Sequence, residues 1–249
     1  MTEIVLKTRD LSIGYGKKVL NNAINATLEK GDFTALIGPN GAGKSTLFKT
    51  FSGTIKPING DIVMFGKDIR SYTPKERASL LSIVLTTRPD EMFMKVYDVV
   101  KAGRFPYTNL FGKLQEKDID IIEESLEIVG IKTLKNRYFN TLSDGEKQKV
   151  MIAKAIAQDT PLILLDEPTS FLDYPSKIEL FNIMRMLTEE KRKTILFSSH
   201  DLELLLRYTK KLWILSPDKP FISGNPESMI NDGIIKEYFN LKSNEYLMI

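Results

Sequence analysis

The chain has 249 residues, 42% of them hydrophobic, with no cysteine, one histidine and a formal charge of +3 from 35 basic and 32 acidic side chains. That composition supports a proper core in one large or two small domains, and it excludes disulfides, thiolate metal sites and multi-histidine clusters. Apolar runs fall far short of the ~18 residues of a membrane span, Met1 to Lys7 lacks a secretory leader's apolar stretch, and Lys191-Arg192-Lys193 has no interleaved aromatics; the expectation is a cytoplasmic protein that neither inserts in a bilayer nor binds nucleic acid.

In chain order, Ile4-Val5-Leu6, Leu11-Ser12-Ile13 and a stretch near Ala23 to Leu28 read as a small antiparallel layer within residues 1–30. Phe33-Thr34-Ala35-Leu36-Ile37 reads as a short buried strand, and Thr46 to Phe51 opens a helix. Between them stands Gly38-Pro39-Asn40-Gly41-Ala42-Gly43-Lys44-Ser45, in the strand-loop-helix setting that a phosphate-binding loop requires. Its glycines let successive N–H groups converge on phosphate oxygens, and the helix start behind them favours an anion. Lys44 adds a point charge for the β- and γ-phosphates and Ser45 an oxygen ligand for Mg²⁺.

Thr73-Pro74-Lys75-Glu76 is a capping box that starts a helix. A strand is expected over Ser79 to Thr86. From about 88 to 140 the strand alternation vanishes, and Ile119, Ile122, Leu126 and Val129 recur at helical spacing before a stop at Gly130. This predicts a helical insert with Glu116, Asp118, Asp120, Glu123, Glu124 and Glu127 on its wet face. Val96 to Tyr107 predicts a helix closing at Gly103 with Pro106 beyond it.

Leu142-Ser143-Asp144-Gly145-Glu146 then caps a helix over Lys147 to Gln158, a second anion-ready helix start. Strands follow at Pro161 to Asp166, Thr194 to Ser199 and Lys211 to Leu215, so that strands alternating with helices imply a largely parallel sheet. Leu162-Ile163-Leu164-Leu165 runs into Asp166 and Glu167, which places one carboxylate toward Mg²⁺ and the other toward the γ-phosphate and attacking water. The tail holds a turn at Gly224-Asn225-Pro226 and one short amphipathic helix near Met229 to Phe239.

With the loop at 38–45, the capped segment at 142–146 and the acidic strand end at 162–167, the chain resembles the ATP-binding subunit of an ABC transporter over nearly its whole length. The resemblance implies an α/β P-loop NTPase: a single domain over 1–249, with a core and antiparallel layer at 1–87 and 141–249 and a helical subdomain at 88–140. It implies ATP and Mg²⁺ as ligands, with Gly38 to Thr46 around the phosphates. Two copies would pair head to tail, so that Ser143, Gly145 and Glu146 of one close over the ATP held by Lys44 of the other.

Further residues fit the same family. Asp173 in Ser170-Phe171-Leu172-Asp173 resembles the aspartate that crosses the dimer interface, and it also suits an N-cap for a helix from about Pro175. His200 resembles the switch histidine at the γ-phosphate, and Tyr15, between Gly14 and Gly16, resembles the aromatic that stacks on adenine; a solitary histidine is more often structural, but His200 follows the C-terminal end of a strand, where α/β ligands sit, while the plain reading of Tyr15 is a strand tyrosine. Two departures stand out. Thr86 or its neighbour Thr87 occupies the place of a glutamine that links metal and water, Thr86 being the nearest equivalent. Asp144 and Glu146 replace uncharged residues of the signature, bringing acid near phosphate unless they point away or pair with a lysine such as Lys147 or Lys149.

The stretch Val96 to Leu114 is similar to importer ATPases for iron-siderophore, haem and cobalamin permeases, which implies that Arg104 to Tyr107 lie near a groove for a permease loop. The partners so implied are an integral membrane permease holding the chain at the inner face of the cell membrane and, indirectly, an extracytoplasmic substrate-binding protein. The same cassette serves soluble iron-sulfur cluster assembly ATPases and efflux systems, which stay open as alternatives.

Overall fold

The structure is a computed structural model and describes residues 3–86, 93–108 and 113–240. The chain opens with β1 (Ile4–Tyr15), β2 (Lys18–Ile24) and β3 (Thr27–Glu29), then β4 (Phe33–Ile37) and α1 (Lys44–Phe51). β5 (Asn59–Met64) and β6 (Lys67–Asp68) lead to α2 (Pro74–Leu80) and β7 (Leu81–Val84). Then come α3 (Val96–Lys101), a three-ten turn at Ala102–Tyr107, α4 (Glu116–Ile128), α5 (Asp144–Ala157), β8 (Leu162–Leu165) and α6 (Tyr174–Glu189). The chain closes with β9 (Thr194–Ser198), α7 (Leu202–Tyr208), β10 (Lys211–Ile214), β11 (Ile222–Gly224), α8 (Pro226–Asn231) and α9 (Ile234–Phe239).

The central sheet runs β11-β10-β4-β9-β8-β7, parallel throughout except for the antiparallel edge strand β11. Both of its faces are buried, which explains the unbroken apolar strands. Ala35, Ile37, Ile163, Leu165, Ile195, Phe197, Leu212 and Ile214 enter the core shared with the helices. Their neighbours Leu36, Leu162, Leu164, Leu196 and Trp213 turn to the opposite core, shared with α1 and the second sheet. That sheet has the order β2-β1-β5-β6 with β3 also on β1. It therefore recruits residues 59–68, which the strand pattern of residues 1–30 alone does not include.

Several local expectations are corrected. Ser79 and Leu80 belong to the last turn of α2, whose Thr73–Glu76 capping box forms as expected, and Thr86 lies past the end of β7. Gly103 does not close a helix: the chain tightens from α3 into the three-ten turn that contains Pro106. Arg104 in that turn points inward and donates to Ala157 O at 2.8 Å and to Asp118 Oδ1 at 3.0 and 2.8 Å. Asp118 is consequently 1% exposed rather than on the wet face of α4. The tail has two helices, broken at Gly233.

Candidate functional site

The loop after β4 is held against the sheet so closely that a Cβ on Gly38 would stand 2.1 Å from Leu215 O, a contact that only glycine avoids. α1 begins at Lys44 behind Gly43, which supplies no side-chain cap, so the helix's positive end faces the loop. Lys44 is buried and its Nζ donates to Gly38 O at 2.8 Å. Burial pulls the Lys44 pKa down, while the Glu167 and Asp166 carboxylates oppose that shift.

β8 delivers Asp166, 1% exposed, into the same neighbourhood. Ser198 at the end of β9 ties the two acidic positions together: its Oγ donates to Asp166 Oδ1 at 2.7 Å and accepts from the Glu167 amide at 2.8 Å. The other carboxylate oxygen, Asp166 Oδ2, is buried without a hydrogen-bond partner among the described residues. A buried anionic oxygen left open in this way suits a cation ligand. Glu167 adopts a left-handed φ of 51°, and its Oε1 lies 2.7 Å from His200 Nε2. Thr86 Oγ1 donates to the Asp166 carbonyl at 3.3 Å.

A cavity of about 550 Å³ brings together Asn40, Gly41, Gly43, Lys44, Ser45, Thr46, Thr86 and Glu167, with Lys18 and Leu20 on its rim. Pro39 and Ala42 shape the loop, the Ala42 amide donating to Pro39 O at 3.1 Å. Tyr15 stands beside it with half its surface exposed, its hydroxyl accepting from Thr46 Oγ1 at 3.3 Å.

Ser143, Gly145, Glu146 and Asp173 are not in that cavity. They line another of about 650 Å³, together with Lys149, Phe171 and Leu172. The expected pairing of the signature acids is corrected in part. Glu146 closes a capping box on Ser143, whose amide donates to Glu146 Oε2 at 2.8 Å, and it meets Arg137 at 3.6 Å. The Ser143 hydrogen bonds and Arg137 hold the Glu146 carboxyl below its usual range. Asp144 approaches Lys147 at 4.0 Å, whereas Lys149 is taken by Glu179 at 2.8 Å. Asp173 caps α6 by accepting from the Ser176 amide at 3.0 Å.

On the helical part, Phe93, Met94, Lys95, Phe105 and Tyr138 line a groove of about 460 Å³. Phe105 lines this groove, whereas Arg104 is 3% exposed and ion-paired inside. Leu110, Phe111 and Gly112 lie outside the described residues, as does Thr87. Sequence reasoning also missed Ser198, for which an apolar strand ending in serines offers no signal.

Residues 21–170 match the family described as ABC transporter. The chain belongs to the ABC transporter family. An uncharacterized ABC transporter ATP-binding protein of Methanocaldococcus jannaschii is 44% identical over 97% of this chain and 83% of its own length. The ferric enterobactin transport ATP-binding protein of Escherichia coli is 33% identical over 97% of this chain and 90% of its own. Among solved structures, an inward-facing metal-chelate type ABC transporter superposes with a TM-score of 0.83 at 28% identity, over 96% of this chain and 90% of that one. As an ABC ATP-binding subunit, the chain is a P-loop ATPase coupled to transport. Among its described residues no helix is long and apolar enough to cross a membrane.

Proposed function

We propose that the chain is the ATPase of an importer for iron-siderophore complexes or a related metal chelate, haem and cobalamin included, driven by head-to-tail closure of two copies on ATP. The observation that carries closure is the division of the site. The loop with Lys44 and the capped start of α5 with Ser143 line separate cavities, so each presents half of a phosphate pocket to something outside its own chain. In the paired state Ser143, Gly145 and Glu146 meet the nucleotide of the other copy, and Asp173 crosses between them. The energy comes from the higher affinity of ATP for the closed pair.

Within one site Lys44 and the loop amides bind the β- and γ-phosphates, and Tyr15 stacks on the adenine. Glu167 orients the attacking water and takes its proton, its carboxylate aimed by the 2.7 Å contact with His200, which also reaches the γ-phosphate. Ser45 and Asp166, the latter through its unpartnered Oδ2, would hold Mg²⁺, which when bound neutralises charge on the phosphate oxygens. Thr86, bonded to the Asp166 carbonyl, steadies that loop rather than serving as a metal ligand.

The named siderophore relatives support the substrate class, and the exposed aromatic groove supports a permease loop as the docking partner. The permease places the chain at the inner face of the cell membrane and receives its cargo from an extracytoplasmic binding protein. Glu167→Gln tests the chemistry: ATP binding persists, turnover falls at least ~100-fold, and an ATP-bound dimer accumulates in size-exclusion chromatography. Unchanged hydrolysis, or a variant that stays monomeric in ATP, refutes the assignment.

A further inference from the structure

We propose that Lys18 is a second cation of the nucleotide cavity and contacts the α-phosphate; this rests on reading that cavity as the ATP site. β1 turns into β2 through Gly16-Lys17, so that Tyr15 and Lys18 are cross-strand partners. The hairpin is tight: a Cβ on Gly14 would stand 2.0 Å from Lys18 O, so only glycine allows the Lys18 backbone this close. Lys18 and Leu20, two apart on β2 and therefore on one face, both border the cavity, whereas the intervening Val19 does not. The strand lies against the loop itself, since Leu20 Cβ is 3.6 Å from the point where a Gly43 Cβ would be.

Charge and position then narrow the role. Lys44 is spent on the far end, buried beside Gly38 and under the field of Asp166 and Glu167. Lys18 is exposed and makes no ion pair among the described residues. Its cross-strand partner is Tyr15, whose hydroxyl accepts from Thr46 of the cavity wall and which the proposed function stacks on the base, so that side is taken as the base end. A lysine between the base end and the Lys44 end faces the first phosphate of a nucleotide, where an ammonium meets a concentrated anion with nothing to compete for it. Because the group is solvated, its effect is modest and falls with salt.

The test measures dissociation constants of ATP, ADP, AMP and adenosine in competition with a fluorescent ATP analogue, on the full chain in EDTA. Wild type, Lys18→Met, Lys18→Arg and the neighbouring Lys17→Met are compared at low and high salt. Lys18→Met is expected to weaken ATP, ADP and AMP about fivefold each and to leave adenosine unchanged; Lys18→Arg restores affinity and Lys17→Met matches wild type. Three results overturn the proposal: no change in Lys18→Met, a loss confined to ATP and ADP, or an equal loss for adenosine, which would report a disturbed hairpin. If wild type and Lys17→Met themselves bind no nucleotide, the reading of the cavity fails, and the proposal with it.

Discussion

Arg104 and Asp118 join the three-ten turn, the first turn of α4 and the end of α5 through one buried contact, with side chains only 3% and 2% exposed. Arg104 donates two hydrogen bonds to Asp118 Oδ1 and one to Ala157 O, and its guanidinium lies 4.1 Å from the Tyr107 ring centroid. Asp118 also accepts from the Gln115 amide at 2.8 Å. Arg104→Met fills comparable volume but strands a buried carboxylate, so it should cost about 3–5 kcal/mol. For a chain of this size that is a fall in Tm of roughly 6–20 °C. Asp118→Asn strands the guanidinium and should cost a similar amount. The double variant Arg104→Met/Asp118→Asn removes both charges, and its cost should drop to within about 2 kcal/mol of wild type. Urea titrations followed by circular dichroism on the four proteins give the coupling. If the two single costs simply add in the double variant, the pair is not the linked unit described here.

Three further outcomes follow from named contacts. Asp118 is held below the ordinary carboxylate range: burial pushes it up, but the Gln115 amide and Arg104 outweigh that. A depressed folded pKa contributes stability that is full above the unfolded value of about 3.9 and is lost as pH falls through the folded one, so Asp118→Asn should flatten the stability-pH curve below pH ~4; an unchanged acid limb would contradict this. Phe171 holds a left-handed φ of 68° in a residue that is 61% exposed overall. Asn tolerates that conformation, and Phe171→Asn should raise stability by up to about 1 kcal/mol; a lower Tm refutes the strain. Gly38→Ala would drive a Cβ into Leu215 O, and calorimetry should show ATP binding lost or the fold weakened by at least about 2 kcal/mol.

Much of the architecture was readable because it repeats at short range. The parallel strands announce themselves as apolar runs, since both faces of the sheet are covered, and Thr73, Ser143 and Asp173 each form the helix cap that their neighbours imply. β5, β6 and β11 escaped because they are partly exposed, and become strands only by pairing, β5 with β1, β6 with β5 and β11 with β10. Asp118 looked like one more acid on a polar helix face, although it stands four residues before Ile122 and eight before Leu126 and so shares their face, unlike Glu116 or Asp120.

The order of residues by itself determined the phosphate loop, the acidic strand end and the caps, because each is built from neighbours a few positions apart, whose backbone geometry their own side chains dictate. Only tertiary structure decided that Ser198 bridges Asp166 and Glu167, that Arg104 faces inward, and that the Ser143 and Lys44 cavities stand apart. Those relations join segments remote in sequence, and burial, register and charge compensation become defined only when the sheets and helices have packed.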